Sequence, residues 1–182
     1  MRPFRLVVLL LASVACSDSN DLPDASITNV ERSETLYALV GTPVATPSGY
    51  SLEGSRRIRT DLTVEFDFAY NLQGDGSHVF VPRAALGIDS TAAVKPGFLR
   101  RSESFDAITM AASNWYITDQ VIPITVGDRF MVRSRITCVI GVPKYAKVEV
   151  LGFDDAARTV AFRILTDDNC GFKGLQPGLP DS

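Results

Sequence analysis

Apolar and polar residues alternate through residues 58–72, the clearest pattern in the chain. The even positions are apolar apart from Thr60, and the odd positions are polar apart from Ala69. A period of two is typical of a half-buried strand, whereas helical geometry would scatter these charges around a cylinder. The pattern therefore predicts one strand over residues 58–72, ended by the turn residues 74–76.

The same period continues in residues 129–140. One face of this segment is predicted to comprise Phe130, Val132, Ser134, Ile136, Cys138 and Ile140. A turn-forming Gly-Asp pair and the apolar run 121–126 precede it, which predicts a hairpin with Pro123 at a sheet edge. Further strands are predicted at residues 35–40, 78–81, 145–153 and 159–165, the last two as a second hairpin.

Helical signals are few. A proline at the start and a glycine past the end predict one helical turn over residues 82–86, and apolar spacing predicts a short helix over 104–112. Residues 41–55 and 88–101 are predicted to be loops. We therefore predict an all-β fold, an antiparallel β-sandwich or open two-sheet β domain with few short helical turns, in a single domain over residues 30–182.

The N-terminus has the form of a targeting segment. Arg2 and Arg5 precede an apolar run, which small residues connect to Cys16. The apolar stretch is about ten residues long, whereas a membrane-spanning helix needs about twenty. Residues 1–15 are therefore predicted to be a signal peptide, and an ordinary cleaved secretory signal is the alternative to a lipoprotein signal.

Ala15-Cys16 resembles the cleavage site of bacterial lipoproteins, although Ser13 stands where that pattern prefers leucine. The resemblance implies that Cys16 is acylated and anchors the protein to the membrane. Because Ser17 and not aspartate follows, it also implies the outer membrane, with the domain on the periplasmic or the surface-exposed side. Residues 16–29 are predicted to be the anchor and a polar tether.

Composition and charge narrow the function classes. The 182 residues include 18 basic and 21 acidic side chains, a net charge of −3 that becomes −5 without residues 1–15. Nucleic-acid binding usually needs a concentrated basic face, so we expect no nucleic-acid partner. The chain has one histidine, which excludes metal and acid–base chemistry that needs two, and we expect no metal site.

Two cysteines remain once Cys16 is lipidated. An even pair in an exported chain predicts a disulfide between Cys138 and Cys170. Such a bond would close a loop of about 33 residues and contribute about 3.5 kcal/mol on the chain-entropy model. Because Cys138 lies on the predicted apolar face, a buried free thiol is the alternative.

His78 is the only residue that could act as the base of a Ser–His–acid or Cys–His site, and no nucleophile motif surrounds it. We expect it at an exposed loop edge, with no catalytic residues and no enzymatic activity. The pairs Asp154-Asp155 and Asp167-Asp168 are predicted to be solvated turn carboxylates, with weak calcium binding as the alternative.

Arginines recur on the other face of the 129–140 segment, at positions 129, 133 and 135. We expect them to face acidic residues of neighbouring strands, such as Glu65 and Asp67. An anion-binding surface is the alternative.

The order of segments resembles the HmuY-like haem-binding lipoproteins. Residues 65–70, Glu-Phe-Asp-Phe-Ala-Tyr, look like that family's aromatic–Asp–apolar–Ala–aromatic strand, and residues 105–119 are similar to the loop that follows it there. Residues 126–135, 144–150 and 159–163 resemble the C-terminal strands of that family. The resemblance covers residues 60–165 and the lipoprotein signal.

This resemblance implies an all-β fold that captures haem outside the cell between two axial side chains. The family's usual histidine pair is missing, since the chain has one histidine. Methionine sulfur also ligates haem iron, so Met110 and Met131 are the candidate pair, with Trp115 and Tyr116 as candidate lining of an apolar slot. The alternative is that these four side chains pack in the core or on the sheet.

We therefore expect an exported, lipid-anchored, non-catalytic ligand-binding protein, with haem as the candidate cofactor. A structural or protein-interaction lipoprotein of the cell envelope is the alternative. The expected partners are the membrane, through the N-terminal lipid, and either a small hydrophobic ligand or an envelope protein.

Overall fold

Ten antiparallel strands make up the domain in the computed structural model, which describes residue 22 and residues 24–180. Cys16 and the predicted signal peptide lie outside the described residues. The strands are β1 Glu31–Tyr37, β2 Gly49–Ser51, β3 Arg56–Ile58, β4 Phe68–Leu72, β5 His78–Pro82, β6 Gly97–Arg101, β7 Ile122–Pro123, β8 Arg129–Ile136, β9 Pro143–Asp154 and β10 Thr159–Asp167. Two short 3₁₀ turns, Arg83–Leu86 and Phe105–Ala107, are also present.

The strands form two sheets of five. The first sheet has the order β1-β10-β9-β8-β6 and the second has the order β3-β2-β4-β5-β7. One continuous hydrophobic core draws residues from both sheets, because alternate side chains of each strand point to the same face. The prediction of an all-β, two-sheet fold is confirmed.

Aromatic rings occupy the centre of this core. Phe68 of the second sheet packs edge-on against Phe98 and Phe162 of the first, with ring centroids 5.0 and 6.2 Å apart. Phe80 stacks on Phe98 at 5.2 Å. Such rings bury large apolar areas and favour offset or edge-on contacts, so this cluster supplies much of the attraction between the sheets.

The single strand predicted over residues 58–72 is wrong. β3 ends at Ile58, β4 begins at Phe68, and the intervening Leu62 is 69% exposed. The Arg83 guanidinium donates hydrogen bonds to the backbone carbonyls of Val64 and Phe66. A side chain therefore satisfies carbonyls that a strand partner would otherwise bind, and alternation alone does not reveal this.

The hairpin predicted between residues 121–126 and 129–140 is also wrong. β7 pairs with β5 in the second sheet, whereas β8 pairs with β6 and β9 in the first. The turn at Gly127 therefore carries the chain from one sheet to the other. β7 is an edge strand, so the edge position predicted for Pro123 is confirmed. β8 ends at Ile136, earlier than predicted.

Two strands lie in segments predicted to be loops, and both begin with a glycine that close packing requires. A Cβ at Gly49 would lie 3.0 Å from the Phe66 ring, and one at Gly97 would lie 2.6 Å from the Ile117 carbonyl oxygen. Glycine in a sequence usually indicates a loop. The glycines that allow close packing at β2 and β6 therefore led to the prediction of loops in place of these two strands.

Other predicted elements are present with shifted ends. The β9–β10 hairpin and β5 are confirmed, β1 lies a few residues before its predicted position, and the helical turn after Pro82 is confirmed. Only Phe105–Ala107 is helical within the predicted helix over 104–112. Ser26 and Ile27, in the predicted tether, donate backbone hydrogen bonds to Asn169 of the domain.

A disulfide joins Cys138, after β8, to Cys170, after β10, with the two Cα atoms 5.8 Å apart. This confirms the predicted pairing over the alternative of a free thiol. The bond ties two loops at one end of the first sheet, where the strands themselves make no further ladder contacts among the described residues.

Asp67 is a fully buried carboxylate that joins the two sheets. One oxygen accepts the backbone N–H of Leu52, which follows β2, at 2.7 Å, and the other accepts the backbone N–H of Arg135 in β8, also at 2.7 Å. The Arg135 guanidinium lies 3.4 Å from the second oxygen. These contacts offset part of the cost of burying the charge, and burial still raises the pKa of Asp67 above its usual value. One side chain therefore links the two sheets directly.

We predict that Asp67→Asn lowers the free energy of unfolding by about 3–5 kcal/mol, because the amide leaves one backbone N–H without an acceptor and Arg135 without its counter-charge. Urea unfolding measures this loss. The same change at the exposed Asp119 is the control and should cost less than about 0.5 kcal/mol. Equal losses in the two variants would contradict the role assigned to Asp67.

Candidate functional site

The outer face of the first sheet is covered by a second, thinner layer of chain. This outer layer comprises residues 102–119 and 172–178, and a separate hydrophobic cluster lies between it and the sheet. Its two segments are joined by backbone hydrogen bonds from Ala111 to Lys173 and from Leu175 to Thr109, both 2.8 Å. All four residues predicted to bind a ligand belong to the outer layer or lie beneath it.

Phe105 fastens the outer layer to the sheet. Its ring is 1% exposed and lies 4.5 Å from the Lys147 ammonium and 4.1 Å from the Arg163 guanidinium. Lys147 is itself buried and donates a hydrogen bond of 3.0 Å to the Ile108 carbonyl. Burial lowers the pKa of Lys147. The cation–π attraction of two cations to one ring makes this contact more stabilising than apolar packing alone.

Met131 and Tyr116 meet around one backbone unit of the outer layer. The Met131 sulfur accepts the Ala112 N–H at 3.3 Å, and the Tyr116 hydroxyl donates to the Ala112 carbonyl at 2.8 Å. Met131 is 5% exposed. The Arg133 guanidinium lies over the Tyr116 ring at 4.9 Å. Burial raises the pKa of Tyr116, so its hydroxyl keeps its proton and remains a donor.

Met110 and Trp115 lie on the solvent side of the same layer. Met110 is 56% exposed and Trp115 is 85% exposed. The Trp115 backbone has a φ of 74°, in the left-handed region, which costs a residue with a side chain about 1 kcal/mol or more. The structure thus brings Met131 and Tyr116 together but leaves Met110 and Trp115 facing outwards.

The described arrangement does not fit haem held between two methionine sulfurs. An axial pair must present both sulfurs to the two faces of one flat macrocycle. Met110 is exposed, whereas the Met131 sulfur is buried and already accepts a hydrogen bond. The sulfur pair is therefore not open to a ligand that arrives from outside.

A chain of alternating charges crosses the outer face beside this layer. Glu149 accepts hydrogen bonds from Arg129 at 2.7 Å and from Arg163 at 2.6 Å, and Arg163 also contacts Glu31. Burial of Glu149 raises its pKa, but the hydrogen bonds from the two arginines outweigh burial and hold that pKa below its usual value.

The predicted arginine row is accordingly divided among different partners. Arg135 pairs with Asp67, as predicted, and also with Glu53 at 3.3 Å. Arg129 pairs with Glu149 instead. Arg133 donates to the Lys95 carbonyl. Glu65 has no ion pair among the described residues.

His78 is a packed side chain, which corrects the expectation of an exposed loop edge. It is 14% exposed, stacks on Phe153 with centroids 3.7 Å apart and contacts Asp155 at 3.2 Å. Its Nδ1 lies 2.7 Å from the Tyr70 hydroxyl. Burial raises the pKa of Tyr70 to about 12, so this hydroxyl is protonated at neutral pH and is not an activated nucleophile.

The two predicted carboxylate pairs differ. Asp154 and Asp155 are exposed at the turn between β9 and β10, as predicted, whereas Asp167 and Asp168 are engaged within the fold. Asp168 contacts the Lys144 ammonium at 3.1 Å and accepts the Gly54 N–H at 3.1 Å. Asp167 is fully buried, which corrects its assignment to a solvated turn, and it accepts two hydrogen bonds from Asn169. Within residues 24–180, no group of three or more histidine, cysteine, aspartate or glutamate side chains could hold a metal ion.

Sequence reasoning missed Phe105 and Lys147 as an anchoring pair. A lysine at an outward-facing strand position, such as Lys147, is normally expected to be exposed to solvent. Only the folded structure shows that the outer layer covers it. The run Arg56-Arg57-Ile58-Arg59 was also not predicted to form a site, although three arginines in four residues is a local concentration of positive charge.

No helix in the described part of the chain is long and apolar enough to cross a membrane. No protein-family model, curated protein or solved structure matches the chain. The resemblance to the HmuY-like lipoproteins therefore stays a prediction.

We predict that Glu149→Gln destabilises the domain by about 1–2 kcal/mol at pH 7, because two arginines lose their shared counter-charge. Since the folded pKa of Glu149 is lowered, its stabilisation is present above the unfolded pKa of about 4.3 and is lost as the pH falls through the folded pKa. Unfolding curves of variant and wild type should therefore converge in acid.

Urea unfolding at a series of pH values between 7 and 3 measures this convergence. The exposed Glu65→Gln removes the same charge and should parallel the wild type at every pH. A difference for Glu149→Gln that stays constant down to pH 3 would refute the arrangement of charges described above.

Proposed function

We propose that this chain is an exported, lipid-anchored protein of the bacterial outer membrane, and that its β-sandwich domain is a non-catalytic binding module. The lipoprotein-like signal over residues 1–15, followed by Cys16, supports the anchor. The stacking of His78 on Phe153 and the ion pair between Asp168 and Lys144 support the absence of catalysis.

The observation that carries the binding role is the position of Trp115. The large aromatic side chains of the core are fully buried, yet the single tryptophan of the chain is 85% exposed on a left-handed backbone. An exposed apolar ring on a strained loop costs stability and is typical of recognition surfaces. Met110, in the same loop, is also more than half exposed.

The ligand that this surface favours is a flat apolar molecule stacked on Trp115. Haem is the first candidate because of the HmuY-like resemblance. Stacking needs no sulfur ligand, so it does not require the buried Met131 to move. An envelope protein that buries Trp115 is the alternative occupant, since tryptophan is enriched at the centre of protein interfaces.

We predict that haem and iron-free protoporphyrin both quench the fluorescence of Trp115 saturably, and that Met131→Leu leaves this binding unchanged. Trp115→Leu should weaken binding at least about tenfold, followed by porphyrin absorbance. Because the chain has one tryptophan, the fluorescence reports on this loop alone.

A variant that combines Trp115→Leu with Leu179→Trp moves the fluorophore to another exposed position. It is the control for quenching without binding, and it should show no saturable change. Absence of saturable quenching of Trp115 by either porphyrin would contradict a porphyrin ligand. Crosslinking to an envelope protein that Trp115→Leu abolishes would then favour the alternative.

The anchor is tested by cell fractionation and by mass spectrometry of the mature N-terminus. We predict that Cys16→Ser moves the protein from the membrane fraction to the soluble fraction, because the acyl chains that hold it there are lost. Ser13→Leu, which brings the site closer to the lipoprotein pattern, should leave it on the membrane. An unmodified Cys16 in the wild-type protein would refute the lipid anchor.

A further inference from the structure

An open cleft lies between the two sheets, on the side where β1 and β3 form their edges. Its volume is about 690 Å³, and its lining comes from β1, from residues 45–47 and from residues 55–59. This is within the range of small-molecule sites, about 300–1,000 Å³. The cleft shares no lining residue with the outer layer.

The cleft is basic although the chain as a whole is acidic. Arg56, Arg57 and Arg59 line it, against one acidic side chain, Glu34. Arg57 contacts Glu34 at 3.3 Å, and Arg59 is paired with Asp61. Arg56 is exposed and has no ion pair or side-chain hydrogen bond among the described residues. At least one guanidinium is thus available to an incoming anion.

Neutral donors accompany these arginines. The side chains of Tyr37, Thr46 and Ser55 also line the cleft. The lining of the cleft therefore combines guanidinium groups with hydroxyl donors, a combination suited to oxyanions.

Edge protection explains only part of this arrangement. Charged side chains that point inwards on edge strands prevent pairing with other chains, and the Arg57–Glu34 pair across the two edges does this alone. That role does not require the adjacent unpaired Arg56 or a third arginine at position 59.

We propose that this cleft is a binding site for a small molecule that carries an oxyanion group, a carboxylate, phosphate or sulfate. Arg56 and Arg57 are the principal ligands, since a guanidinium binds such groups through two parallel hydrogen bonds. Glu34 competes with the ligand for Arg57. The exposed Arg57–Glu34 pair is weak, so an anion that also reaches Arg56 can displace the glutamate.

The test is a titration of the folded domain with inorganic phosphate, sulfate and citrate, followed by amide and arginine side-chain shifts in nuclear magnetic resonance. Ionic strength is held constant with sodium chloride. We expect saturable shifts confined to residues 34–37, 45–47 and 55–59. A response to citrate alone assigns a carboxylate ligand, and a response to phosphate or sulfate assigns a tetrahedral oxyanion. No saturable shift with any of the three would overturn the proposal.

Five variants separate a specific site from a general effect of charge. Arg56→Gln and Arg57→Gln should each weaken binding about tenfold, whereas Arg101→Gln, which removes an arginine elsewhere, should not. Glu34→Gln should strengthen binding about threefold because it frees Arg57. Glu31→Gln removes the same charge from the same strand but pairs with Arg163 on the outer face, and should have little effect. Equal effects of Glu34→Gln and Glu31→Gln, or unchanged binding in Arg56→Gln, would overturn the proposal.

Discussion

The buried carboxylate of Asp67 is the contact on which the arrangement of the two sheets depends. Aromatic packing draws the sheets together but is tolerant of small shifts, because apolar contact has little direction. Two short hydrogen bonds to backbone N–H groups on opposite sheets have a defined length and direction. A buried charge left without these partners would cost several kcal/mol. A shift of one sheet against the other would break these hydrogen bonds, so the arrangement that keeps both of them is favoured over shifted ones.

The two-sheet arrangement positions both candidate sites, the Trp115 loop and the cleft at the edges of β1 and β3. The first sheet is covered on its outer face by a layer held through Phe105 between two cations, and this layer presents Trp115 to solvent. The cleft between the edges of β1 and β3 is lined by charged side chains, and the Arg57–Glu34 pair joins the two edges. Loops and open edges carried on a β scaffold are common positions for binding residues.

The sequence predicted the fold class and the β9–β10 hairpin, because the alternation of apolar and polar residues is visible within each strand. It predicted the Cys138–Cys170 bond because only two cysteines remain after Cys16. It missed β2 and β6, where glycine serves close packing, and it merged β3 with β4, where the Arg83 side chain replaces a strand partner. For Met131, the alternative of packing on the sheet agrees with its burial, but the sequence did not reveal the layer that covers it, because that layer includes a segment distant in sequence.

Hydrogen exchange of the Leu52 and Arg135 amides tests the central role of Asp67 most directly. In the wild type, both amides should exchange about as slowly as the amide of Ala146 at the centre of the first sheet. In Asp67→Asn, exchange of Leu52 or Arg135 should accelerate well beyond the change seen at Ala146, because the lost acceptor is local. Equal acceleration at all three amides would contradict the claim that this carboxylate holds the two sheets in register.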